Sequence, residues 1–144
     1  MTREEMAVER FNSGYNCAQS VFSTFSEDFG LDKTIAFRIA NGFGGGVRCG
    51  EVCGAVSGAI MAISLKYGFH IEKDFEQKGI CNNKAFEFIE RFKSENGSMI
   101  CRELLGIDIN SPDDFTTQEA KDVFSVKCPL LVASAVRILM DMEF

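Results

Sequence analysis

Six cysteines and a single histidine dominate the reactive side chains of this 144-residue sequence. The most telling stretch is Cys53-Gly54-Ala55-Val56-Ser57-Gly58. Three more cysteines fall where helices are predicted to begin: Cys17 after Asn16, Cys101 after a glycine-containing break, and Cys128 directly before Pro129. At a helix start, unpaired backbone N–H groups and the positive end of the helix dipole favour a thiolate. Thiolates serve both sulfur redox chemistry and metal ligation. The residues by themselves leave those two uses open.

Each cysteine has its own surroundings. Pro129 at the first helical position would make Cys128 an N-cap, its sulfur facing the next free N–H groups. Cys53 opens a strongly apolar helix with glycine beside it, which makes it the first candidate for an attacking thiolate. Cys101 has Arg102 as neighbour, and Cys17 lies on the flank of an apolar stripe, where cysteine also packs as a small hydrophobe. Cys49 and Cys53 form a C-x-x-x-C pair, not the C-x-x-C of thioredoxin-like folds, and no βαβ pattern surrounds them. Cys49, next to Arg48, is either a resolving thiol or a bystander. Cys81, in a polar stretch before Asn82-Asn83, reads as incidental.

Other chemistries find little support. With His70 alone, neither a Ser-His-Asp triad nor a multi-histidine metal site can be built, and His70 reads as a surface residue in the connection after Gly68. The absence of C-x-x-C-H argues against covalent haem attachment. Gly42-Phe43-Gly44-Gly45-Gly46 follows a helix and lacks the lysine of a phosphate loop. Its expected role is to let the chain pass close to the cysteines. A net charge of −6 and a pI near 4.8 speak against nucleic-acid or anionic-membrane binding. The amino terminus lacks a signal-peptide pattern, and the nearly uncharged stretch from Val52 to Leu65 is too short to span a bilayer. The expectation is a cytoplasmic protein without membrane insertion, in which reduced cysteines suit metal binding or catalysis better than disulfide staples.

The elements that must carry these thiols are helical. Thr2-x-x-Glu5 is a capping box before a first helix. Asn16 caps a second, whose Ala18, Val21, Phe22, Phe25 and Phe29 repeat at helical spacing up to Gly30. Asp32 starts a shorter third helix with Ile35, Phe37, Ile39 and Ala40. About Glu51 to Tyr67 the sequence is apolar on nearly all sides, the mark of a helix in the middle of a bundle. A helix from Asn83 with Ala85, Phe86, Ile89 and Phe92 on one face ends at Gly97, with Glu87 and Arg91 paired outside. A short turn follows from Cys101 to Gly106. Ser111-Pro112 opens a helix to about Phe124, and Cys128-Pro129 opens the last one. The reading is an all-α, single-domain bundle over residues 1–144 with a central apolar helix. Its apolar surfaces also make a homo-oligomer an open question.

Asn16-Cys17-Ala18-Gln19, Gly42 to Gly46, Cys53-Gly54-Ala55-x-x-Gly58, Cys101-x-Glu103-Leu104-Leu105-Gly106 and Cys128 with its apolar helix follow one another along nearly the whole chain. In that order they resemble the bacterial and archaeal family of redox-active proteins named for a C–GCAxxG–C–C motif. Around Cys53 this chain reads Cys-Gly-Ala where the motif has Gly-Cys-Ala. The resemblance implies a chain of this length and four characteristic cysteines, which by match are Cys17, Cys53, Cys101 and Cys128. Cys49 and Cys81 lie outside it.

Three functions are consistent with this pattern. In the first, the four thiols do redox chemistry of the thiol/disulfide oxidoreductase type, need no cofactor, and work with a redox partner or small molecule yet to be identified. In the second, the same Cys17, Cys53, Cys101 and Cys128 ligate zinc or an iron–sulfur cluster. Cys₄ sites usually include a close C-x₂₋₄-C pair, and only Cys49/Cys53 approaches one. In the third, the cysteines are buried parts of a helical interaction module.

Overall fold

The computed structural model describes residues 1–144 as seven α-helices with no strands. The helices are α1 (Arg3–Asn12), α2 (Cys17–Ser26), α3 (Lys33–Ala40), α4 (Gly54–Tyr67), α5 (Phe75–Asn96), α6 (Cys101–Leu105) and α7 (Gln118–Asp141). Short 3₁₀ turns occupy Glu27–Phe29, Asn41–Phe43 and Pro112–Phe115.

Caps fix the helix starts. Thr2 Oγ1 accepts from the Glu5 N–H while Glu5 Oε2 accepts from the Thr2 N–H, each at 3.1 Å. Asn16 and Gln19 exchange the same pair of bonds at 2.9 and 3.0 Å, closing two orphan donors at the start of α2. Gln19 also donates to the carbonyl of Phe37 at 2.9 Å, tying α2 to α3. Gly97 ends α5 in the left-handed conformation at φ 89°, where a Cβ would be strained.

Two helices share the centre. α4 packs against α2, α5 and α7, as its all-round apolar sequence requires. α2 is buried more completely still: every residue except Gln19 is inside. One continuous core joins Phe22, Phe25, Val56, Ile63, Phe88, Phe92, Val132, Val136 and Leu139.

Besides Ser111-Pro112, which opens only the 3₁₀ turn to Phe115 before α7 starts at Gln118, three features differ from the sequence expectation. The helix expected from Asn83 begins eight residues earlier, at Phe75, because Asp74 accepts from the Gln77 N–H at 3.1 Å. Cys81 is therefore half-buried within α5, and the inward face there is Phe88 and Phe92, while Phe86 is exposed. On α3 the inward residues are Ala36 and Ala40, and Ile35 and Ile39 face out. The third difference concerns Cys128. α7 runs through Pro129 without stopping, so Cys128 lies inside a helix and is no N-cap. Proline at that position removes one backbone hydrogen bond and costs about 3 kcal/mol. Burial of Leu131, Val132, Ala135, Val136 and Leu139 beyond it, at ~1.5–3 kcal/mol for each larger side chain, outweighs that loss. Ser125, whose carbonyl loses the bond, is exposed, so water can replace the donor. The unbroken α7 is long and apolar enough to cross a bilayer by length and composition alone, yet its inward face is committed to the core.

Candidate functional site

The four motif cysteines share the wall of one cavity of about 120 Å³. Phe11, Leu105, Phe115, Phe124 and Leu131 supply most of the remaining surface, with Arg48 as its one ionic residue. Each cysteine comes from a different helix or cap: Cys17 is the first residue of α2, Cys53 the N-cap of α4, Cys101 the first residue of α6, and Cys128 lies mid-α7. All four are buried, with 3% to 7% of their surface exposed, and all are free thiols.

Glycines explain how the helix starts come so close. A Cβ on Gly58 would lie 2.6 Å from the Ala18 carbonyl oxygen, and one on Gly54 would lie 3.1 Å from the Cys17 Cβ. Gly54 and Gly58 are four apart, hence on one face of α4, and that face carries the start of α2. The Cys-Gly-Ala-x-x-Gly segment is thus a packing device that brings Cys53 toward Cys17.

A second device joins Cys53 to Cys101. Val52 and Ile100 form an isolated antiparallel bridge, with the Cys53 N–H donating to the Met99 carbonyl at 2.8 Å and the Cys101 N–H to the Glu51 carbonyl at 2.6 Å. The residues following the bridged pair, Cys53 and Cys101, are diagonal neighbours on one face of it. Helices α4 and α6 depart from this clamp.

The glycine loop covers the same region. A Cβ on Gly44 would strike the Asn16 side chain at 2.5 Å, one on Gly45 the Phe115 ring at 2.5 Å, and one on Gly46 the Cys101 Cβ at 2.8 Å. From Gly45 to Arg48 four consecutive residues have positive φ, including Val47 at 56° and Arg48 at 61°. A left-handed conformation costs roughly 1–2 kcal/mol per non-glycine residue. The turn is held by the Glu51 N–H donating to the Gly46 carbonyl at 2.9 Å and by Arg48, whose guanidinium stacks 4.1 Å from the Phe115 ring centroid.

Electrostatics overturn one expectation. Cys17, Cys53 and Cys101 do stand at helix starts, but burial dominates. The Cys53 thiol is pushed up to about 11 by desolvation, although the N–H groups of Ala55 and Val56 pull it down. Desolvation pushes Cys101 to about 12, with nearby Cys53 and Cys128 adding to the rise; Arg102 and Arg48 only partly offset it. Both are neutral thiols at pH 7. The exception is the Cys17–Cys128 pair. The Cys17 and Cys128 thiols are close enough to couple, and that coupling holds Cys128 below the ordinary cysteine range and Cys17, which burial also raises, well above it. The pair loses its first proton more easily than its second.

The remaining sequence candidates lie elsewhere. Cys49 is exposed on the left-handed turn, where its S–H donates to the Gly46 carbonyl at 3.5 Å, and it does not line the cavity. Cys81 packs against the core from α5 without lining the cavity, and His70 is exposed. Arg102 is turned outward, paired with Glu51 at 2.8 Å. No group of three or more His, Cys, Asp or Glu side chains is gathered closely enough to hold a metal ion in this arrangement. The aromatic wall residues Phe11, Phe115 and Phe124 carry no sequence signal that separates them from the other eleven phenylalanines.

The model of one protein family matches residues 15–142; its description is "Putative redox-active protein (C_GCAxxG_C_C)". No curated protein and no solved structure matches the chain.

Proposed function

The chain belongs to the C_GCAxxG_C_C family of redox-active proteins, and we propose that it acts within that family as a thiol-based redox protein whose working pair is Cys17 and Cys128. The observation that carries this reading is the placement of these two thiols, one from α2 and one from α7, on the wall of one partly open apolar cavity. Cys128 is the more easily ionised member of the pair and Cys17 the one that keeps its proton, an asymmetry that suits formation of an intramolecular disulfide. In this reading Cys128 attacks and Cys17 resolves. Cys53, the first candidate by sequence, is set back because its buried thiol stays protonated. Cys53 and Cys101 line the same cavity.

Equilibration of the reduced protein in dithiothreitol redox buffers tests this. The expected result is the loss of two of six thiols in a single two-electron step, absent in Cys128→Ser and in Cys17→Ser. If all six thiols stay reduced up to mildly oxidising potentials, the proposal is wrong.

A further inference from the structure

The way in to the thiol pair decides what can oxidise it. A protein disulfide must present a sulfur to the attacking thiolate in line, and sulfurs with 3% to 7% of their surface exposed cannot reach one. The oxidant must therefore enter the cavity. At about 120 Å³ that cavity is smaller than the ~150 Å³ apolar cavity that holds benzene. Apart from Asn16 and Arg48, its side-chain walls, chiefly Phe11, Leu105, Phe115, Phe124 and Leu131, offer no partners for the several charged and amide groups of a peptide disulfide. Arg48, the exposed member of the lining, stands at its rim.

We infer that the cavity is a substrate site for compact organic hydroperoxides, molecules with a short apolar body and an O–O bond presented to Cys128. The inference rests on the thiol-redox reading above and names its substrate class. The Cys128 thiolate attacks the terminal peroxide oxygen, the O–O bond breaks, and the Cys17 S–H supplies the proton to the leaving alkoxide. The products are Cys128 sulfenic acid, an alcohol and the Cys17 thiolate. Cys17 then attacks the Cys128 sulfur and expels hydroxide, which leaves to the solvent. Overall, one thiolate, one thiol and ROOH become one disulfide, ROH and OH⁻, with the two electrons of the thiols reducing the O–O bond. A small dithiol reductant returns the pair to its starting state. The two protonation states in the pair match this need for both a nucleophile and a proton donor.

The test is the rate of thiol loss in the full chain with four probes: tert-butyl hydroperoxide, cumene hydroperoxide, hydrogen peroxide and oxidised glutathione. Each rate is divided by the same probe's rate on urea-unfolded protein. The expected order puts tert-butyl hydroperoxide first, with an advantage of about tenfold or more over each other probe, since apolar pockets discriminate by roughly that factor for small apolar groups. Oxidised glutathione reacting as fast as tert-butyl hydroperoxide on this scale overturns the inference, and so does hydrogen peroxide or cumene hydroperoxide doing so. The equilibrium titration in dithiothreitol buffers keeps the two readings apart. A pair that forms a disulfide at equilibrium but shows no hydroperoxide preference sinks only the substrate class. A pair that never forms one sinks both.

Discussion

Substituting Gly58 by alanine pits two opposed effects against each other at one position. In a helix interior alanine is favoured over glycine by about 1 kcal/mol, so propensity alone predicts a more stable protein. The structure predicts the reverse. The new Cβ would lie 2.6 Å from the Ala18 carbonyl oxygen and 3.1 Å from the Ala18 Cα, against an ordinary contact of 3.4 Å or more. The start of α2 must then retreat by about 0.8 Å to restore that spacing. Backbone meets backbone there, so no rotamer can relieve the clash. A clash this close against backbone costs ~2–3 kcal/mol, the upper part of the usual overpacking range, which leaves Gly58→Ala net destabilised by roughly 1–2 kcal/mol. For a chain of this size that is a fall in Tm of roughly 3–8 °C. Gly79 is the control. It lies inside α5 with nothing within 4 Å of its would-be Cβ, so Gly79→Ala gains ~0.5–1 kcal/mol. Thermal melts by circular dichroism, with disulfide formation between Cys17 and Cys128 followed in parallel, measure both effects. Gly58→Ala should melt lower and form the disulfide more slowly, and Gly79→Ala should melt higher. A Gly58→Ala protein as stable as Gly79→Ala would refute the claim that this glycine exists to seat α2.

Three further outcomes follow from other parts of the molecule. Cys53 has a folded pKa raised to about 11, above its unfolded value near 8.5. The folded state therefore holds a proton that the unfolded state loses, and the associated stability, on the order of 3 kcal/mol, is present below pH 8.5 and lost as pH rises through 11. Chemical denaturation between pH 7 and 11 should show that decline, and Cys53→Ala should lessen it without abolishing it, because the raised Cys17 and Cys101 thiols act in the same direction. Ser20 is fully buried with no hydrogen-bond partner for its hydroxyl, so Ser20→Ala should stabilise by about 1 kcal/mol in urea titrations; a loss of stability would mean that the hydroxyl is paired after all. Val47 is half-exposed at φ 56°, so Val47→Gly should relieve roughly 1 kcal/mol of strain. A lower denaturation midpoint for that variant would count against the left-handed turn.

Much of this architecture is legible in the residues. Thr2-x-x-Glu5, Asn16 with Gln19, Gly30 and Gly97 mark helix ends because capping is local chemistry. The all-α class follows from spacing, and the grouping of Cys17, Cys53, Cys101 and Cys128 from the motif order. What sequence could not supply is long-range. Cys128-Pro129 has the local form of a helix start, and only the packing of the residues on both sides carries α7 through it. Likewise, Cys53 has the backbone neighbours of a thiolate, but its protonation is decided by the depth of core around it. The Val52–Ile100 bridge is a single pair with no alternating run to announce it. Its consequence, Cys53 and Cys101 side by side, appears only once the chain is folded.

The most direct measurement is the identity of the disulfide. The reduced protein, oxidised at equilibrium, alkylated and digested, should yield by mass spectrometry one cross-linked peptide pair, joining Cys17 to Cys128, with Cys49 and Cys81 recovered as free thiols. A disulfide through Cys49 or Cys81, or between two chains, would contradict the account, because it would place the redox chemistry outside the buried cavity.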